Sequence, residues 1–288
     1  MLGTLILALC LSGAACFDPS VRVRCIFPST APPTTTVTTP PTTPAPTRDP
    51  STYPWAVGIW KKKYVNCLGA LIAPQYVLTT AYCVTNNDTA LQFSIGAPYG
   101  HGTDTASTIH LHPSYVPPPR PIRRIEHDIA IIQLTSPSTK APIVLDPTWL
   151  EGGVKVSWIG RFSEQTSLNV SNTSTFNTGE CMRIYRDVGP FIPPWMAQWD
   201  LGETNICAAD APYPPGSTMC DPVGLSLVTW RASTPQLRAL HSYIVYPDKC
   251  GAGYPPVFAR ISAAKDFIDK FSVGHTWVAN LPEVTSIA

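Results

Sequence analysis

The apolar residues of this chain fall in short bursts rather than long periodic stretches. From Tyr53 onward the bursts are WAVGIW (55–60), GALIA (69–73), IAIIQL (129–134), VKVSWIG (154–160), LSLVTW (225–230) and LRALHSYIVY (237–246), separated by Pro, Gly and Asn. Runs of this length bounded by turn formers read as strands. Helical spacing is confined to residues 262–271 (SAAKDFIDKF), with Ser262 in the capping position. Many short strands followed by one terminal helix predict an all-β domain, a barrel or a sandwich. No internal repeat is present.

The first 52 residues have a different texture. Residues 2–15 (LGTLILALCLSGAA) form a short apolar run ending in small residues, which reads as a secretory signal peptide cleaved after Ala15 or Cys16. The run is too short to span a bilayer, and no later segment has a membrane helix's length of apolar residues. Between Thr30 and Thr47 almost every residue is Thr or Pro. Such a tract buries nothing and is expected to be an extended spacer carrying O-linked glycans. Cys16 and Cys25 close a small loop if Cys16 survives processing; otherwise Cys25 is left over. The expected organisation is a signal peptide over 1–15, a short Cys-containing segment and linker over 16–52, a folded domain over 53–272 and a tail over 273–288. The chain has nine cysteines, and secretion places those beyond the signal peptide in an oxidising compartment, where pairing is expected. Net charge is +1 and 14% of residues are charged, so nothing suggests a nucleic-acid partner.

Several motifs in order along residues 53–272 resemble the chymotrypsin/trypsin-like serine protease family. Pro54-Trp55-Ala56-Val57 is similar to its opening strand. NCLGALIAPQYVLTTAYC (66–83) resembles the stretch that ends in the catalytic histidine and its neighbouring cysteine. His112-Pro113-Ser114-Tyr115, His127-Asp128-Ile129-Ala130 and residues 156–161 (VSWIGR) follow, and residues 256–262 (PVFARIS) resemble the closing strand. The resemblance implies two six-stranded antiparallel β-barrels with the active site between them. It also implies disulfides Cys67–Cys83, Cys181–Cys207 and Cys220–Cys250.

The same comparison implies degenerate chemistry. Asp128 occupies the catalytic aspartate position, but Tyr82 stands where the family has its histidine. A phenol with an ordinary pKa near ~10 is not poised to act as a general base at neutral pH. The nucleophile motif is replaced by Cys220-Asp221-Pro222-Val223-Gly224-Leu225-Ser226, one residue shorter. Anchoring on Leu227-Val228 puts Val223 at the serine position; anchoring on Asp221 puts Pro222 there. Ser226 lies too late, where a strand should continue, and Ser217 lies before the cysteine. Pro222 has no N–H to offer an oxyanion. The upstream TPAPTRDPST lacks the family's activation motif. Thr218, Ile244 and Pro256 fall where they would narrow the specificity pocket. The expectation is a secreted, non-catalytic protease homologue without cofactor or metal. Its expected partner is a protease, a zymogen or a protease inhibitor. A surface or structural glycoprotein is the alternative, followed by a residual serine-type hydrolase.

The remaining candidates are weaker. Asp128 is expected to be a buried carboxylate satisfied by neighbours, among them the Tyr82 hydroxyl. His110 and His112 alternate on a presumed strand, with His101 as a third potential ligand, but the family's equivalent strand binds no metal. Lys61, Lys62 and Lys63 read as a solvated hairpin tip, and Arg120, Arg123 and Arg124 as a solvated cluster. Asn87, Asn169 and Asn172 begin Asn-x-Ser/Thr sequons. The long segment between Cys181 and Cys207 carries Trp195 and Trp199, either partner anchors or packing onto the domain beneath.

Overall fold

The structure, a computed structural model, describes residues 52–61, 64–85, 91–95, 104–117, 125–162, 168–187, 199–209, 222–231, 233–243 and 255–278. The first barrel contains β1 (Ala56–Lys61), β2 (Tyr64–Ala73), β3 (Tyr76–Thr79), β4 (Leu91–Ile95), β5 (Asp104–Leu111) and β6 (Ala130–Leu134). They close antiparallel in the order β1-β2-β3-β6-β5-β4. A single turn of helix, α1 (Ala81–Val84), leaves β3. A short strand, β7 (Val144–Leu145), then leads into the second barrel.

That second barrel contains β8 (Lys155–Phe162), β9 (Asn169–Phe176), β10 (Asn205–Ala208), β11 (Pro222–Arg231), β12 (Thr234–Tyr243) and β13 (Val257–Arg260). Its strands run β11-β8-β9-β10-β13-β12, and the β11–β12 pairing closes the ring. The expected all-β fold of two six-stranded antiparallel barrels is the one observed. Closure removes sheet edges, which suits a chain built from many short strands. Trp158, Leu227, Phe258, Ile206 and Val156 form a core cluster contributed by strands of the second barrel. A larger apolar cluster includes residues of both barrels.

Helix α2 (Thr178–Asp187) has no counterpart in the sequence reading. It is short and polar on average, so it does not stand out as an apolar run. Local chemistry starts it: the Asn177 side chain accepts the Glu180 N–H at 2.8 Å, an N-cap bond. Cys181 and Tyr185, one turn apart, are its buried stripe. The terminal helix is also shorter than the sequence suggests. Residues Ser262–Ala264 form a 3-10 turn, closed by Ala264 N–H to Ile261 O at 3.0 Å. The helix α3 (Lys265–Phe271) begins only after Ala264, so Ser262 does not cap it. Beyond α3 the chain is not a free tail as far as Trp277, which is buried and bridged to Leu145 of β7. Asp269 accepts the Trp277 indole N–H at 2.7 Å, meets His275 at 2.9 Å and pairs with Lys265, pinning this segment to α3.

Candidate functional site

Asp128 immediately precedes Ile129 and β6, and it is completely buried. Its backbone approach is held from the second barrel. His127, with a positive φ of 52°, donates its N–H to Thr204 Oγ1 at 3.0 Å. Asn205 donates from one amide nitrogen to Leu201 O at 2.7 Å and to Ile125 O. Glu203 N–H is accepted by Glu126 at 2.7 Å. The segment 125–128 is thus moored to the 201–205 segment, and Asp128 sits where the two barrels meet.

Both carboxylate oxygens are occupied. Oδ1 accepts the main-chain N–H of Tyr82 at 2.8 Å, and Oδ2 accepts the hydroxyl of Ser242 from β12. Burial pushes the Asp128 carboxyl up to about 6, resisted by the Ser242 hydroxyl and by the Tyr82 and Ala81 backbone N–H groups. Desolvation disfavours the charged form and hydrogen bonds to it favour it; here desolvation wins.

The expected bond from the Tyr82 hydroxyl is therefore replaced by one from its backbone. A single turn of α1 aims the amide at the carboxylate while the side chain stays 50% exposed. The Cys67–Cys83 disulfide ties α1 to β2 beside this point. The Tyr115 hydroxyl lies 3.5 Å from Thr85 Oγ1, and burial raises its pKa.

Val223 lies near the start of β11, its Cα opposite Arg161, just before an irregularity in the β8 ladder. Pro222 opens the same strand. Ser226 is buried in that strand between Ile159 and Leu240, so its hydroxyl belongs to the interior of a ladder. Cys181 and Cys207 are bonded, joining α2 to β10. Trp199 is packed rather than displayed: it is 1% exposed, with its ring 4.6 Å from that of Tyr185. The reason is local, because α2 presents Tyr185 directly to it.

His110 stacks on Phe271 at 4.5 Å, and His112 stacks on His127 at 4.4 Å and leans on Phe267. These rings serve as apolar plates between β5 and α3. Burial and the neighbouring His127 hold His112 down at about 4, so it is neutral at physiological pH. Pro256 is buried beside β13, and Asn172 stands exposed on β9. Asn87, His101, Arg120, Arg123, Arg124, Trp195, Ser217, Thr218, Cys220, Ile244 and Cys250 lie outside the described residues, as do Lys62 and Lys63.

Ser242 is the site residue the sequence reading missed. Its only signal was a small hydroxyl inside a strand run, where a buried polar group needs a partner.

The Trypsin family model matches residues 45–268. Glucanase inhibitor protein 3 of Phytophthora infestans is 23% identical over 72% of this chain and 78% of its own length. Kallikrein-1E2 of Equus caballus is 26% identical over 62% of this chain and 74% of its own length. Among solved structures, kallikrein-related peptidase 10 in complex with Zn2+ superposes with a TM-score of 0.57 at 20% identity, covering 77% of this chain and 97% of that one. With the family model spanning both barrels and the Asp128 junction between them, the chain belongs to the Trypsin family.

Proposed function

We propose that this chain is a secreted, catalytically inert member of the family that acts by binding another extracellular protein. One observation carries the reading. The buried Asp128 has its two oxygens engaged by a backbone N–H and a serine, and the neighbouring residue is an exposed tyrosine instead of an imidazole. An aspartate in this role serves catalysis only by orienting and charging a base. With Tyr82 there, the same carboxylate works as a structural clamp between barrels. Val223 and Pro222 belong to a strand and supply no nucleophile.

The partner is a secreted hydrolase or its regulator. Two relatives from Phytophthora infestans bear the name glucanase inhibitor protein, which supports inhibition of an enzyme by a protease-like fold. A protease, a zymogen or a protease inhibitor fits the same mode of action. After removal of residues 1–15, the domain would follow a short Cys-containing segment and a linker over 16–52, whose Thr/Pro tract at 30–47 would be glycosylated. Cys220–Cys250 remains the expected third bridge, and Asn87, Asn169 and Trp195 remain candidates for modification or contact.

The test is a crosslinked pull-down with the mature chain from the extracellular fluid of its source, read by mass spectrometry. Saturable recovery of one hydrolase, zymogen or inhibitor supports the proposal. Recovery of glycans and matrix alone would favour a structural surface glycoprotein.

A further inference from the structure

On the outer face of the second barrel, β8, β9 and β11 form a shallow open groove of about 490 Å³ lined by Ser157, Asn172, Thr173, Ser174 and Trp230. Trp230 is 41% exposed, one of few large apolar residues left in water among the described residues. It is not loose. Its indole N–H donates to Ser157 Oγ at 3.0 Å, and Ser157 Oγ in turn donates to Asn172 Oδ1 at 2.8 Å. A serine hydroxyl has one proton. It accepts the indole N–H on one lone pair and gives that proton to Asn172 Oδ1. In this arrangement Asn172 Nδ2 lies on the other side of the amide. Asn172-Thr173-Ser174 is an N-glycosylation sequon, and Nδ2 is the atom such a glycan would bond.

The geometry points to an N-linked glycan on Asn172 whose first N-acetylhexosamine lies on the Trp230 indole and fills the groove. The attachment atom and the aromatic plate are coupled through one hydroxyl, so the sugar is delivered to the ring covalently. The apolar face of a pyranose covers an indole that the protein itself leaves bare, while its hydroxyls meet the polar rim of Thr173, Ser174 and Lys155. A glycan seated there removes this face from protein docking, so a partner must use another side of the domain. The inference rests on the secretory reading given above.

The full chain is expressed in a eukaryotic secretory host, and occupancy is mapped at Asn87, Asn169 and Asn172 by peptide mass spectrometry. Hydroxyl-radical footprinting of Trp230 is then compared before and after native removal of glycans by peptide N-glycosidase. The expected result is occupied Asn172, with Trp230 protected until the glycan is removed. Removal is also expected to lower Tm by about 2–4 °C in the wild type and by less than about 1 °C in Trp230→Ala. Occupied Asn87 with unmodified Asn172 would overturn the inference while leaving secretion intact. A chain retained in the cell with no sequon occupied would overturn both. Equal Trp230 oxidation before and after removal, or equal Tm shifts in the two proteins, would show an attached glycan that does not use the indole. Protection of Trp230 only by added free oligosaccharide would assign the groove to an external ligand instead.

Discussion

Asp128 carries the sharpest residue-scale consequence. Its carboxyl is raised by burial to about 6 from an ordinary 3.8, so the fold favours the neutral form. That contribution to stability is present below the ordinary value and is lost as pH climbs through about 6. The displacement corresponds to roughly 3 kcal/mol. Asp128→Asn removes the titration while an amide can still accept from Tyr82 N–H and meet Ser242. Denaturant melts at pH 4 and pH 7.5 are expected to show the wild type losing roughly 2–3 kcal/mol relative to the variant over this window. A constant difference would mean that folding does not raise the Asp128 carboxyl. Tyr82 tests the same clamp from the other side. Because its backbone makes the bond, Tyr82→Phe is expected to leave Tm unchanged. Tyr82→His should create no peptidase activity towards chromogenic peptide substrates, since Val223 and Pro222 offer no nucleophile.

At the scale of elements, Trp199 and α2 decide how the long Cys181–Cys207 segment is read. Trp199 is a core residue, so Trp199→Ala should cost about 3–5 kcal/mol in a denaturant melt. Loss of partner binding in that variant would then report unfolding rather than contact. Asn177→Ala should cost about 1 kcal/mol by removing the cap of α2. Within the described residues, the six apolar bursts in the sequence each fall on a strand, because strands lining a barrel core bury apolar side chains. Less legible were β5, whose burial is weak along its length, and β9, which is rich in Asn, Ser and Thr. Helix α2 was hidden for a related reason: it is short and polar on average, and its buried stripe is a single turn, Cys181 and Tyr185. Asp128 was legible because it sits in a local motif. Ser242 was not, because its role depends on Asp128, 114 residues away in sequence.

For the whole molecule, the structure is a fold of two closed six-stranded barrels, and the proposed loss of catalysis leaves that fold in place. What it conserves physically is the junction: Asp128, Ser242, Asn205 and Thr204 tie one barrel to the other. Tyr82 is exposed beside this junction, and burial of the hydrogen-bonded polar groups makes the geometry costly to deform, which suits the proposed binding role. Binding and catalysis then differ in stoichiometry. The most direct measurement takes the secreted hydrolase recovered in the pull-down and follows its activity as the mature chain is added from about 0.01 to about 2 equivalents. The account predicts an effect that saturates near one equivalent, does not grow with time and leaves the partner uncut on a gel. An effect that accumulates with time at about 0.01 equivalents, with fragments of the partner appearing, would show turnover and contradict it.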